Sequence, residues 1–161
     1  PLTYELVMWE HVFLIGHRDH PLRQGREGPY DRPEPFGSLH LLERERLMML
    51  PPEWRLTKLL QNTFSVHNVE PQNILITTNN TTAINLVAEN MGFAFLQESG
   101  ISRTPYLDQL ACFTIGEPPL TCPMAVVYKK NGFLSPAART FIDLAKEYYS
   151  RFDRAPRQEG E

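Results

Sequence analysis

Five consecutive residues with short polar side chains, Thr77-Thr78-Asn79-Asn80-Thr81, form the stretch best suited to chemistry. Hydroxyl and amide oxygens of this kind accept hydrogen bonds from the free N–H groups that begin a helix. The same N–H groups, together with the helix dipole, attract anions. The stretch could therefore cap a helix, bind an anionic ligand, or do both, and the residue types alone leave these alternatives open.

The elements on either side of this stretch have the pattern of a βαβ unit. Residues 74–76 are apolar and mostly β-branched, which predicts a buried strand, and residues 93–96 predict a second strand. Between them, Gly92 is predicted to supply the left-handed residue that ends a helix. The apolar residues of that helix recur at helical spacing: Ala83, Ile84, Leu86, Val87 and Met91. The polar stretch would then lie where a strand ends and a helix begins, which is where open α/β sheets bind ligands.

A second turn of the same type is predicted at residues 51–57. The apolar run 47–50 predicts a buried strand, and a helix that opens at Pro52 follows it. The apolar stripe of this helix is predicted to comprise Leu56, Leu59, Leu60, Thr63 and Phe64. We expect this turn, which contains Trp54 and Arg55, to face the same cleft as the polar stretch.

Other elements in the first half of the chain follow from apolar runs and turn residues. Residues 4–15 predict one or two strands, and residues 38–42 predict one helical turn capped by Ser38. Residues 23–37 carry three glycines and three prolines between charged residues. That composition is typical of a loop, either a surface insertion or a lid over a cleft. Asn68 suits the position that ends the following helix.

The last third of the chain predicts two strands, a helix and a tail. Residues 110–116 and 124–128 have the apolar character of strands. Ser135 is a natural helix cap, and Pro136 is favoured as the first helical residue. The buried face of this helix is predicted to comprise Phe141, Ile142, Leu144, Ala145 and Tyr148. We expect residues 151–161 to be a disordered tail.

Composition and missing motifs exclude several classes of function. The net charge is −3, the sequence pI is about 6.0 and no basic stripe occurs, which argues against a nucleic-acid-binding surface in these residues. No apolar run is long enough to cross a bilayer, so we expect no membrane partner. The motifs G-x-S-x-G and G-x-G-x-x-G and the G-K-[ST] phosphate loop are absent. We therefore expect no enzyme and no catalytic residues.

Neither metal nor cofactor binding is expected. Cys112 and Cys122 do not form a C-x-x-C motif, and we expect two reduced, half-buried thiols of a cytoplasmic protein. His17 and His20 have H-x-x-H spacing, but no third ligand is fixed near them. A polar loop is therefore favoured over a metal site at these histidines.

Six short motifs that occur in order along the chain carry a resemblance to a known family. They are His20-Pro21-Leu22, Phe36-Gly37-Ser38-Leu39, Leu50-Pro51, Glu70-Pro71, the run LVAENMGFAFL from Leu86 to Leu96, and the run LSPAARTF from Leu134 to Phe141. Together they resemble the effector-binding domain of LysR-type transcriptional regulators. Departures from that family's pattern occur at Asn90, where it has Gly, at Gln97, where it usually has Pro, and at the insertion 23–35.

This resemblance implies an α/β fold of the type II periplasmic-binding-protein kind, with a mixed sheet flanked by helices. Residues 21–121 would form the second of two effector subdomains, and residues 1–20 and 122–150 would be returning pieces of the first. The N-terminal DNA-binding head of full-length members has no counterpart here, so the chain resembles an N-terminally truncated member.

The resemblance also implies a function and a set of site residues. The chain would sense a small anionic effector and mediate homo-oligomerisation as a dimer or tetramer, with DNA bound only through the missing N-terminal domain. Arg55 could neutralise a carboxylate, or be a solvated surface arginine, and Trp54 could wall the pocket, or pack in the core. The expected effector-binding residues are Trp54, Arg55, Thr57, Asn79, Asn80 and Thr81. A fragment of a periplasmic solute-binding protein has the same fold and is the alternative function.

Overall fold

The computed structural model describes residues 1–23, 28–152 and 154, which fall into two compact units. The first unit comprises Pro1–His11 and Thr121–Glu161, and the second comprises Val12–Leu120. Assignment of these units to effector subdomains stays a prediction. Residues 24–27 of the predicted 23–37 loop and most of the predicted tail lie outside the described residues.

Seven strands and four α-helices are found among the described residues. The strands are β1 (Leu2–His17), β2 (Glu34–Pro35), β3 (Arg46–Met49), β4 (Asn73–Ile76), β5 (Phe93–Gln97), β6 (Leu110–Thr114) and β7 (Thr121–Lys129). The α-helices are α1 (Arg55–Val66), α2 (Asn80–Ala88), α3 (Glu98–Ile101) and α4 (Pro136–Ser150). Short 3-10 helices occur at Pro21–Arg23, Leu39–Leu42 and Leu107–Gln109.

The second unit is built on a mixed sheet with the strand order β2-β6-β1-β5-β3-β4. Strand β3 runs parallel to β4 and β5, whereas β1 pairs antiparallel with β5 and β6. The registers Met49 with Ile76 and Met48 with Ala94 align the three parallel strands. This arrangement confirms the predicted mixed sheet.

Helices α1 and α2 cover opposite faces of this sheet. Alternate residues of β5 point to opposite faces, and the ring of Phe95 contacts Phe64 of α1 with the ring centroids 5.6 Å apart. On the other face, Ala94 joins a buried cluster with Ala83 and Val87 of α2. Right-handed crossovers explain this placement. The connection through α1 moves from β3 to β4 and the connection through α2 moves back from β4 to β5, so the two helices lie on opposite faces.

Strand β4 is an exposed edge strand, and the prediction that it is buried was wrong. Ile74, Leu75 and Ile76 are 48%, 39% and 51% exposed. Among the described residues, β4 pairs only with β3, so one side of its backbone has no strand partner. An apolar run predicts a strand, but its burial depends on which elements lie beside it.

Two asparagines, rather than one asparagine and one glycine, end the helices α1 and α2. Asn68 has a φ of 54°, and the Val69 N–H donates to the Phe64 carbonyl at 2.9 Å, which confirms the predicted helix end. At the end of α2 the left-handed residue is Asn90, with a φ of 55°, and not Gly92. Gly92 is required for another reason, because a Cβ there would lie 2.2 Å from the Arg46 carbonyl oxygen.

Other boundaries shift by a few residues from their predicted positions. Residues 4–15 belong to one strand, β1, and α1 begins at Arg55 rather than at Pro52. Ser38 precedes a 3-10 helix, as predicted, but its side chain makes no capping hydrogen bond. Met91, predicted to face the core, is 42% exposed because α2 ends before it.

The described part of the first unit is a two-stranded ribbon with one helix. The N-terminal part of β1 pairs antiparallel with β7. Helix α4 begins as predicted, because the Ser135 hydroxyl accepts a hydrogen bond from the Ala138 N–H at 3.2 Å and Pro136 is the first helical residue. One ribbon and one helix bury little surface, so this unit has a small core.

The predicted buried face of α4 was wrong. Only Ile142 is buried among the described residues of this helix, whereas Phe141, Leu144 and Tyr148 are 68%, 58% and 51% exposed. Apolar residues at helical spacing indicate which face needs cover, but they do not indicate that the described chain supplies it. The first unit therefore presents a large exposed apolar face.

Cys112 and Cys122 are both buried, at 0% and 5% exposure, rather than half-buried. Burial raises the pKa of the Cys112 thiol to about 12, so this thiol is unreactive at neutral pH. No helix within the described ranges is long and apolar enough to cross a membrane.

Candidate functional site

The carboxyl ends of β3, β4 and β5 meet at one edge of the second unit's sheet. The strands are parallel, so the turns that follow Met49, Ile76 and Gln97 emerge side by side. The Thr77 N–H donates to the Met49 carbonyl at 2.8 Å, which joins the first two turns directly. The structure thus brings both predicted turns to the same edge.

This edge contains a topological switch point. Strands β3 and β5 are neighbours in the sheet. The connection that follows β3 leads to β4 on one side, and the connection that follows β5 leads to β6 on the other side. Open α/β sheets bind ligands in the crevice at such a point. The crevice is bordered by the turn that contains Trp54 on one side and by Gln97 on the other.

Gln97 is a residue that the sequence analysis did not include in the site. It ends β5, is partly buried, and its side chain makes no capping hydrogen bond to α3. The signal that could have found it was present, because Gln97 departs from the family pattern at the end of a strand. A polar side chain in place of proline at the switch point can contact a ligand.

The first predicted turn leaves the amino end of α1 without a side-chain cap. Trp54 occupies the cap position, is 47% exposed and makes no side-chain hydrogen bond to the helix. Arg55, the first helical residue, is also exposed. The free N–H groups of the first turn and a guanidinium therefore lie together at the edge of the sheet.

Thr57 has a structural partner. Its side chain is buried, and its hydroxyl donates to the Leu50 carbonyl at 3.0 Å. This bond ties the first turn of α1 to the end of β3. Because the proton of the hydroxyl is already donated, Thr57 positions the turn, and only its remaining acceptor capacity is open.

The second predicted turn is capped from within. The Asn79 Oδ1 accepts a hydrogen bond from the Thr82 N–H at 2.9 Å, and the Asn79 amide donates to the Thr78 hydroxyl at 3.3 Å. Asn80 is partly buried, and its Oδ1 has no hydrogen-bond partner among the described residues. Thr81 is exposed. The amino end of α2 is therefore less open to an anion than that of α1.

Three cavities of similar size lie in the second unit, and they differ in charge. The first, about 440 Å³, is lined by two arginines and two aspartates, Arg18, Arg23, Asp31 and Asp108, among other residues. The second, about 500 Å³, lies between α1 and β4 and includes Thr57 and one carboxylate, Glu70. The third, about 390 Å³, includes Thr81 and one cation, Arg103.

Trp54, Arg55, Asn79 and Asn80 line none of these three cavities. The predicted site residues therefore share an edge of the sheet, but none of these three cavities brings them together. No group of three metal-binding side chains occurs within residues 1–23, 28–152 and 154. His17 and His20 instead contact acidic neighbours, Asp19 at 3.8 Å and Glu45 at 3.5 Å.

Comparison with known proteins defines the fold and then the family. The effector-binding domain of QuiR in complex with shikimate is similar over 94% of this chain and 67% of that chain, with a TM-score of 0.72 and 17% identity. The regulatory domain of Synechocystis PCC6803 CcmR in complex with 2-PG has a TM-score of 0.71 at 22% identity, covering 91% and 66%. The effector-binding domain of BenM with its effector benzoate has a TM-score of 0.72 at 20% identity, covering 99% and 68%.

These similarities assign the chain to a class: a mixed α/β sheet flanked by helices that matches a large part of a periplasmic-binding-protein-like effector domain. The chain spans about two thirds of those domains, and it covers 49% of full-length BenM. No curated protein matches it. The family model of the LysR substrate binding domain matches residues 1–150, so the chain belongs to that family, which is non-enzymatic.

Proposed function

We propose that this chain senses a small anionic effector for a LysR-type regulator in the cytoplasm, with DNA contacted by an N-terminal domain outside this sequence. The observation that carries the proposal is the convergence of the two turns at the carboxyl edge of β3 and β4, linked by the bond from Thr77 to Met49. The shikimate and benzoate carried by the similar QuiR and BenM domains are consistent with an anionic ligand.

Arg55 and the amino end of α1 provide the charge for this site. Trp54 does not cap the helix, so the first-turn N–H groups and the Arg55 guanidinium are open to a carboxylate. Asn79, Asn80 and Thr81 provide polar contacts from the second turn, and Trp54 provides an apolar wall. Thr57 holds the first turn against β3, and its hydroxyl oxygen can still accept a hydrogen bond from the ligand.

Calorimetric titration of the chain with shikimate and with benzoate tests this proposal. We expect Arg55→Gln to weaken binding of the better ligand by about tenfold or more, because a hydrogen bond to a charged group is worth about 1.5–3 kcal/mol. The matched control is Lys58→Gln, which removes an exposed cation one turn further along α1. Equal affinity of Arg55→Gln and the unaltered chain would refute a carboxylate site at the first turn.

Homo-oligomerisation is the second part of the proposal. Helix α4 of the first unit exposes Phe141, Leu144 and Tyr148 by 68%, 58% and 51%. Large exposed apolar patches mark surfaces that associate. We propose that copies of this chain associate through this apolar face as a dimer or tetramer, and that the acidic chain, with a net charge of −3, does not bind DNA specifically by itself.

A further inference from the structure

A groove on the flank of α2 has a composition that the proposed effector site does not use. It is the third cavity described above, about 390 Å³, and we name it the Arg103 groove. Thr81 and Asn85 of α2 form one wall, and the segment from Gly100 to Tyr106 forms the other. Its volume lies within the range of about 300–1,000 Å³ that is usual for small-molecule sites.

The charge of the groove distinguishes it from the other two cavities. Arg103 is its one charged lining residue, and Arg103 forms no ion pair with any residue in the described ranges. In the first cavity two aspartates offset two arginines, and in the second the charged residue is Glu70. Only the Arg103 groove, of these three, presents a cation with no carboxylate beside it, so it favours an anion.

The remaining lining divides into an apolar floor and polar edges. Ile84 is 5% exposed and belongs to the buried core cluster, against which Tyr106 also packs, so the floor is fixed by the fold. The hydroxyl of Thr104 accepts a hydrogen bond from the Tyr106 N–H at 3.3 Å, which fixes the bend of the opposite wall. A ligand with an apolar ring and a carboxylate would match this lining, with the ring on the apolar floor and the carboxylate towards Arg103 and Thr81.

The wall between the groove and the amino end of α2 is tightly packed. A Cβ on Gly100 would lie 3.2 Å from the side-chain amide nitrogen of Asn80, so Gly100 permits close approach of the two walls. Asn80 is partly buried behind this wall, and its Oδ1 has no partner among the described residues. This close approach holds the segment that begins at Gly100 against the amino end of α2.

We propose that the Arg103 groove binds a monocarboxylate with a ring-shaped apolar body, such as an aromatic acid. This site is separate from the proposed effector site and shares only Thr81 with it. Arg103 binds the carboxylate, the Thr81 hydroxyl donates a second hydrogen bond, and the ring lies over Ile84 and Tyr106. A ligand bound there contacts α2 and the segment after α3 together.

Titration of the ¹⁵N-labelled chain with sodium benzoate, followed by NMR at constant ionic strength, tests this proposal. We expect saturable shifts of the Gly100, Arg103 and Tyr106 amide signals. Benzamide, which has the same shape without the charge, should bind much more weakly. Arg103→Gln should weaken benzoate binding at these signals by about fivefold, which is less than the tenfold or more typical of a charged hydrogen bond, because Arg103 is exposed to water.

The controls separate this site from the proposed effector site. Arg44→Gln removes another exposed arginine and should leave the groove signals unchanged. Thr81→Val, which keeps the shape but removes the hydroxyl, should weaken binding less than Arg103→Gln, and urea melts should show that both variants fold. Absence of saturable shifts at the groove, equal binding of benzamide, or a loss of binding in Arg55→Gln but not in Arg103→Gln would each overturn the groove site, and the last result would still support the effector site.

Discussion

In the second unit, helices cover both faces of the sheet, whereas in the first unit a ribbon and one helix leave much apolar surface exposed. Only three hydrophobic side chains in the described part of the first unit are buried, Met8, Cys122 and Ile142. The second unit contains the remainder of the core, including Phe13, Phe93 and Phe113 at 1% exposure. Similar apolar patterns in the sequence thus lead to a closed core in one unit and to an apolar surface in the other.

The largest expected effect comes from a pair of phenylalanines, one in each unit. Phe95 is 3% exposed and packs on Phe64, so Phe95→Ala should lower the free energy of unfolding by about 3–5 kcal/mol. Phe141 is 68% exposed within one copy of the chain, so in protein dilute enough to be monomeric Phe141→Ala should change it by less than about 0.5 kcal/mol. Urea melts followed by circular dichroism give each value from the transition of the unit that contains the residue.

Light scattering completes this test, because Phe141 belongs to the apolar face through which we propose that copies associate. The unaltered chain should have the molar mass of a dimer or larger. Phe141→Ala should lower this mass towards that of a monomer, whereas folded Phe95→Ala should keep the mass of the unaltered chain. A monomer of 18.6 kDa at all micromolar concentrations would contradict association. A loss of stability in Phe141→Ala that grows with protein concentration would support association through this face, because the copies then cover Phe141.

The sequence predicted local geometry better than burial, and α4 illustrates why. Its cap at Ser135 and its first residue Pro136 depend on neighbours within one turn, so residue types sufficed. The exposure of Phe141 depends on whether another element lies against it, which no local pattern contains. The edge position of Ile74 was missed for the same reason.

The candidate site shows a similar division. That two polar turns follow adjacent strands could be predicted, because parallel strands end at the same edge of a sheet. The internal bonds of Thr57 and Asn79 could not be predicted, since they depend on distances to Leu50 and Thr82 that only the folded backbone fixes. Gln97 was missed although its departure from the family pattern marked it, and Arg103 was missed because it lies in neither of the two predicted turns.

A smaller effect is expected from the two helix caps, one in each unit. Asn79→Ala removes a 2.9 Å bond to the Thr82 N–H, and Ser135→Ala removes a 3.2 Å bond to the Ala138 N–H. Each should lower the free energy of unfolding by about 1 kcal/mol. Urea melts should show the first loss in the transition of the second unit, and the second loss only where α4 unfolds.

Asn79→Ala also bears on the proposed function. If Asn79 contacts the effector, the loss of binding free energy measured by calorimetry should exceed the loss of stability. Thr81→Ala should also weaken effector binding, and it leaves the cap of α2 in place. An unchanged affinity with a full loss of cap stability would make Asn79 a cap only. Ser135→Ala is the matched control, since it removes a cap from the other unit and should leave affinity unchanged.

The smallest effect on stability is expected from the carboxylate network of the first unit. Hydrogen bonds from Lys146, Tyr128 and Arg139, in that order of importance, lower the pKa of Glu5 from an ordinary value of 4.5 to about 2. The Lys146 and Arg139 nitrogens lie 2.6 Å and 2.8 Å from the carboxylate oxygens. Because the pKa is lower in the folded state, this stabilisation is fully present above pH 4.5 and is lost as the pH falls towards 2.

Glu5→Gln should therefore remove an acid transition from the first unit and leave the second unit unchanged. Each unit contains one tryptophan, so Trp54→Phe leaves Trp9 as the reporter of the first unit, and its fluorescence can be followed as the pH falls from 4.5 to 2. Over this pH range the Trp9 fluorescence of Glu5→Gln should change less than that of the chain that retains Glu5. At high salt the fluorescence changes of the two proteins should become similar, because water and ions screen the charges of these surface partners. Glu147→Gln, which removes a carboxylate of α4 outside this network, is the control. If Glu5→Gln and the chain with Glu5 respond equally to acid, other carboxylates govern the unit.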